Sequence, residues 1–309
     1  MQGYKPKFEP RKGREIMPLR GFVDSSGAIV PITEIKKGHV DISRLGVSLP
    51  TLLHMSQDRP SDRKPSTTEL LNGTCQSYLE RTVEYSILPE DNAFALAGTL
   101  HHLKLEESAG LLDRLKSEIT LEAHGITGTV DLYDSETKTL VDYKFSGSYK
   151  IAKCLGIAHY YTKHPTEVYK RSGRWGKAGT PKRVKEFYRD ESKADLEDWG
   201  WQLNFYRYLL ETNEYEVDEM FIQATVRDAG LQIARERGIT GKIYMIEVPY
   251  IDNEHLIERY VTKREALLSA LEKKELPEKC TDEETWGGMK CESYCPVREV
   301  CPYNQTKGE

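Results

Sequence analysis

A chain of 309 residues, 38% hydrophobic and 30% charged, has room for one large domain with additions or for two small ones, and its composition is neither disordered nor fibrous. A net charge of −5 excludes a positive field over the whole surface, so any contact with nucleic acid needs a local patch. No apolar run reaches the ~20 residues that span a bilayer, and "MQGYKPKFEPRKGREI" has basic residues with no apolar core behind them, which implies no secretory signal and a cytoplasmic address.

Residues 1–65 are rich in Pro, Gly and basic residues and are expected to form a partly irregular extension. Within it "GFVDSSGAIVPI" reads as a strand pair and "HMSQDRPSDRKPS" as a linker. Helical spacing begins at "STTELLNGTCQSYLERTVEY", with Ser66 or Thr67 as the N-cap, and a second helix fits "NAFALAGTLHHLKLEESAGLL". The stretch "SEITLEAHGITGTVDLYDSETKTLVDYKFSG" alternates around a turn-forming centre, which predicts two antiparallel strands. A basic insertion follows at about 146–198. A helix over "DLEDWGWQLNFYRYLLE", β-like runs at "MFIQATVRD" and "GKIYMIEVPYI", and a helix around "DNEHLIERYVTKREALLSALEKKE" complete a core over 66–276, with a cysteine-rich tail at 277–309. This order predicts a mixed α/β (α+β) domain on one central sheet.

Asp142 and Lys144 stand two apart in the apolar run "LVDYKFSG", so both point to one face of a strand that should exclude them. If "SETK" is a four-residue turn, Asp131 falls directly across from Asp142, with Cβ atoms about 5 Å apart. Two carboxylates that close repel unless a cation lies between them, and a hard divalent ion such as Mg²⁺ or Mn²⁺ prefers oxygen ligands. Lys144 could then hold a water beside that ion and add to the stabilisation of charge on a phosphate. The plainer alternative is an edge-strand ion pair between Asp142 and Lys144, with Asp131 in a loop.

"GITGTVDLYD" ahead of "VDYKFSG" resembles the G-x-x-D … D-x-K core of PD-(D/E)XK nucleases of the RecB type. "GTLHHLKLE" is similar to their G-T-x-x-H-x-x-x-E helix, and "WQLNFY" to their Q-x-x-x-Y helix. The resemblance runs from about residue 66 to 303 and implies a restriction-endonuclease-like central mixed sheet flanked by helices. It further implies a metal held by His102, Asp131, Asp142 and the carbonyl of Tyr143. Lys144 would orient the attacking water, and Gln202 and Tyr206 would support the lysine and contact the DNA backbone. The implied activity is that of a Mg²⁺- or Mn²⁺-dependent deoxyribonuclease, an exonuclease on single-stranded ends, in repair, recombination, phage or CRISPR settings, with protein partners possible. A DNA-binding or assembly subunit that cuts poorly is the alternative. His101 is the fallback for His102. Glu106 is either a partner that orients the imidazole or a solvated helix charge.

Three of the six cysteines fall in "CESYCPVREVC", too close together to be core thiols. Soft sulfur ligands suit Zn²⁺ or an iron–sulfur cluster. The family's iron–sulfur branch, which includes CRISPR-associated members, implies a [4Fe–4S] cluster on Cys291, Cys295 and Cys301. Cys280 and Cys75 compete for the fourth position. Cys154 reads as a buried thiol. In the insertion, residues 163–189 hold nine Lys/Arg against two Glu, with Tyr169, Trp175, Phe187 and Tyr188 interleaved. Such a mixture suits a groove that tracks phosphates and stacks bases, with Trp175, Lys182, Arg183 and Lys185 as contacts; a solvated loop is the alternative.

Overall fold

The computed structural model describes residues 19–57 and 62–304; the start of the extension, part of the predicted linker and residues 305–309 lie outside the described residues. Strands β1 (Leu19–Val23) and β2 (Ile29–Pro31) pair antiparallel where the sequence predicts a strand pair. Short helices α1 (Ile32–Lys36), α2 (Ile42–Leu45) and α3 (Leu49–Met55) follow, so the predicted linker begins inside a helix. The described part of the extension buries Phe22, Ile35, Leu45 and Leu52 around Ile87 in a small core of its own.

Ser66 caps α4 (Thr67–Leu70) by accepting the Glu69 N–H at 3.2 Å, as an N-cap serine does. Gly73 then separates α4 from α5 (Thr74–Thr82). A short strand β3 (Tyr85–Ile87) joins β1 in parallel and ties the extension to the core. Helix α6 (Ala93–Ala109) occupies the predicted span.

Three strands replace the two expected from the alternating stretch: β4 (Leu115–Ala123), β5 (Ile126–Asp134) and β6 (Thr139–Ser146). The extra turn is His124–Gly125, with φ of 51° and 69°. Two consecutive left-handed residues make a hairpin turn too tight to interrupt the alternation visibly. The chain continues through α7 (Ser148–Cys154), the long pair β7 (Ile157–Val168) and β8 (Pro181–Arg189), α8 (Asp198–Thr212), β9 (Glu219–Val226), α9 (Gln232–Glu236), β10 (Ile243–Glu247) and α10 (Asn253–Lys273).

The central sheet has the order β10-β9-β6-β5-β4; β6 and β9 run parallel and the other neighbours antiparallel. It is a mixed sheet flanked by helices. Adjacent residues of β6 point to opposite faces, and their partners mark the two layers: the Tyr143 ring packs on His102 of α6, while Lys144 reaches Gln202 of α8. On the α8 side the core includes Val130, Leu203, Phe205, Leu209 and Tyr260. Gly128 lets α8 and α4 close on β5, because a Cβ there would stand 2.5 Å from Leu209 and 2.8 Å from Thr67. The basic insertion is a ribbon: β7 and β8 pair only with each other, outside the central sheet.

Candidate active site

The site lies where two strands part. The β5–β6 ladder runs from Asp134↔Thr139 to Leu132↔Val141 and stops, so the next pair in that register is Asp131 with Asp142. This is the opposition the four-residue turn predicts. Because β6 is the middle strand and Asp131 lies within β5, the edge-strand alternative is not the observed arrangement. Instead of continuing the ladder, the Asp131 carboxylate accepts the Tyr143 N–H at 2.8 Å. The β4–β5 ladder skips one pair in the same row, between Ser117↔Leu132 and Ile119↔Val130, which sets Glu118 opposite Asp131. Glu118 has φ of 52°, a left-handed conformation at the skipped position.

Helix α6 brings in the imidazole. His102 Nε2 donates to the Tyr143 carbonyl at 2.8 Å, which leaves Nδ1 facing Asp131 Oδ2 at 3.5 Å. The ligand atoms of His102, Glu118 and Asp131 all lie within 4.8 Å of one another, the one such group of three among the described residues. Hydrogen-bonding contact with Asp131 outweighs burial and holds the His102 imidazole above its ordinary pKa. Burial first, then the Asp131 and Glu106 carboxylates, hold Glu118 above the usual carboxylate range. One imidazole nitrogen and two crowded carboxylates are a donor set that fits a hard divalent cation.

Beside this group stands a buried pair. Lys144 Nζ lies 2.7 Å from Asp142 Oδ2 and donates to Gln202 Oε1 at 2.8 Å. Gln202 Nε2 donates in turn to the Tyr206 hydroxyl at 2.8 Å and lies 3.4 Å from Thr68 Oγ1. Asp142 is only 2% exposed, and burial pushes its carboxyl up to about 6 against the opposing pull of Lys144. Burial alone would lower the Lys144 ammonium, but the Asp142 charge more than offsets it and leaves the lysine above its ordinary value.

Thus Asp131, Asp142, Tyr143, Lys144, His102, Gln202 and Tyr206 converge. Asp142, expected to share an ion with Asp131, is in contact with Lys144, and Glu118, which the sequence reading did not name, joins His102 and Asp131. The sequence reading missed Glu118 because β4 alternates exposed and half-buried residues, so an acid there reads as part of a solvated face. His101 turns away from the group, its Nε2 3.1 Å from Thr225 Oγ1. Both His102 nitrogens face other partners, so Glu106 does not orient the imidazole; it stands near Glu118 instead.

The cysteines converge differently from the expected set. Cys75 is buried in α5 with Cys280 and Cys301 nearby, and Cys280 Sγ packs against Gly73 at the start of that helix, so both candidates for the fourth position lie in one region. The neighbouring Cys75 lowers Cys280 to about 7 and Cys301 to about 6, which favours thiolates. Cys295 is buried near Cys291 and is pushed up to about 11 by that burial. The tail is also pinned by Lys290 Nζ on Asn72 Oδ1 at 2.8 Å. Cys154 is buried, as expected.

On the ribbon, Lys182 pairs with Glu167 at 2.7 Å and Lys185 donates to the Glu236 carbonyl at 2.8 Å, so two of the expected DNA contacts have internal partners. Arg183 lies over Tyr161 at 4.1 Å, and Trp175 is 62% exposed under Arg174.

No protein-family model matches the chain, and comparison with curated proteins finds no match. Among solved structures, SSO0001 aligns with a TM-score of 0.42 at 14% identity, over 85% of this chain and 97% of that one. A phage-related exonuclease from Haemophilus somnus 129PT aligns with a TM-score of 0.32 at 18% identity, over 57% of this chain and 73% of that one. Among the described residues, no helix is long and apolar enough to cross a membrane.

Proposed function

We propose that this chain is a divalent-metal-dependent nuclease that hydrolyses phosphodiester bonds in DNA, as an exonuclease acting on single-stranded ends. The observation that carries the reading is the His102–Glu118–Asp131 group beside a lysine fixed from two sides. A divalent cation held there would supply Lewis-acid polarisation of the phosphate and a water of lowered pKa. The protein's own contribution is positional. Asp142 and Gln202 hold the Lys144 ammonium still, so it can orient a water for attack on phosphorus and face the negative charge that develops as the ester P–O bond breaks. Gln202 is held in turn by Tyr206, which is 5% exposed.

Incubation of labelled single- and double-stranded DNA with Mn²⁺ tests the reading, beside a Lys144→Ala variant whose folding is checked by circular dichroism. Cutting by the wild type and its loss in the folded variant are expected. Equal cutting by both, or none by the wild type, removes the proposal.

The ribbon supports a second element of the same reading: Arg183 on Tyr161 and Arg174 on Trp175 are the cation–aromatic pairs we assign to the DNA backbone and bases. Arg183→Gln is expected to weaken binding and to reduce the slope of log K against log salt by about one. Lys182→Gln, which frees Glu167 rather than losing a phosphate, should do less. Identical slopes in wild type and Arg183→Gln would count against the ribbon as a DNA surface.

We further propose that the thiols of Cys75, Cys280 and Cys301, with Cys291 and Cys295 close by, hold a soft metal centre, iron–sulfur or zinc, that fastens the tail to α5. Cys280, more than 200 positions beyond Cys75, packs against Gly73 at the start of α5, which fits such a staple.

A further inference from the structure

β9 ends at Val226, and the next residue turns a cation back over the sheet. Thr225 and Arg227, on either side of the strand's end, both meet α6. His101 of α6 reaches Thr225, and the Arg227 guanidinium lies 3.9 Å from the centre of the Phe94 ring in the first turn of α6. The Arg227 backbone N–H donates to the Ser146 carbonyl at 2.9 Å, and its side-chain Nε lies 3.4 Å from where a Cβ on Gly147 would stand. The group is therefore seated between β6 and α6. Phe94 is nonetheless 59% exposed, and among the described residues no carboxylate pairs with the guanidinium.

Its distance from the reacting groups can be measured along two elements. His102 stands eight residues beyond Phe94 on α6, about 12 Å at 1.5 Å per residue. Arg227 stands three residues past Ala224, the register partner of Lys144, or about 10 Å along the strand. Either path is short enough for a single strand of a few nucleotides to span.

A guanidinium stacked on an aromatic ring keeps its N–H edge free for the paired oxygens of a phosphate. The other face of that ring is a platform for a base. We infer that Arg227 and Phe94 form a nucleotide-binding step a few nucleotides from the reacting phosphate, the guanidinium holding a backbone phosphate and the ring a base. This deepens the nuclease reading above and rests on it. The step makes affinity depend on strand length, and it leaves the reacting groups untouched.

The test measures kcat and KM for Mn²⁺-dependent cutting of single-stranded oligonucleotides from about four to sixteen nucleotides. The full-length wild type is compared with Arg227→Gln, Phe94→Ala and the conservative Phe94→Trp. Wild-type KM should fall steeply once the strand is long enough to reach the pair. Arg227→Gln and Phe94→Ala should lose that fall, with KM on long strands raised by about five- to a hundredfold and kcat unchanged. Phe94→Trp should restore it. The same dependence of KM on length in wild type and Arg227→Gln overturns the inference while leaving the nuclease intact. Absence of cutting by the wild type removes both.

Discussion

Asp131→Asn is expected to lower Mn²⁺-dependent cutting by about three orders of magnitude while the protein melts within a few degrees of wild type. The amide oxygen can still accept the Tyr143 N–H that Asp131 accepts at 2.8 Å, so the parted strands keep their connection. What disappears is one of two carboxylates that crowd a single imidazole. Without bound metal those carboxylates repel each other, and burial already holds Glu118 above its usual range with Asp131 adding to the effect. Removing one charge therefore costs the fold little and the cation site most of its attraction. Calorimetric titration with Mn²⁺ gives the independent reading, since the variant should bind the ion far more weakly. Full activity in Asp131→Asn would show that the reaction does not run through this group.

Cys75→Ser is the second large effect. Cys75 is 1% exposed at the start of α5, and serine differs from it by one atom. If the thiols of Cys75, Cys280 and Cys301 merely packed, the exchange would shift stability by about 1 kcal/mol. If they hold a metal, the variant loses a ligand, and structural metal sites contribute on the order of 10 kcal/mol of binding energy to folding. The expected outcome is loss of bound iron or zinc by elemental analysis and a fall of more than about 10 °C in the thermal midpoint. Visible absorption of the wild type separates iron–sulfur from zinc. A wild-type preparation without metal, with Cys75→Ser melting beside it, would retire the metal centre.

Part of the candidate site was readable from local rules: spacing put Asp142 and Lys144 on one face, and a four-residue turn set Asp131 across from Asp142. His102, Gln202 and Tyr206 came from the resemblance to PD-(D/E)XK nucleases, the last two four apart on one helical face. The rest depends on where strands separate, which no local pattern encodes. Glu118 joins the group because the β4–β5 ladder skips the row at which the β5–β6 ladder stops. The β4–β5 turn escaped notice because His124 takes a left-handed conformation that residue type did not announce. The extension's small core was not visible in its composition because it is completed by Ile87, which is distant in sequence. Lys182 and Lys185 counted as free charge until their partners Glu167 and Glu236 were seen across the ribbon and on α9. Arg227 and Phe94 meet across more than a hundred residues and carry no motif at all.

The ribbon is closed at its own base, where Asp190 N–H donates to the Gly156 carbonyl at 2.9 Å and Ile157 pairs with Arg189. Lys144 and Gln202, on either side of the whole insertion, meet independently of it. Once its stem is zipped, each doubling of what lies beyond costs only about 0.6 kcal/mol in chain entropy. The hairpin is thus a detachable attachment: it can be lengthened, shortened or exchanged for another without retuning the lysine–glutamine contact. A hairpin attached this way can change in length or sequence while the Lys144–Gln202 contact stays where it is.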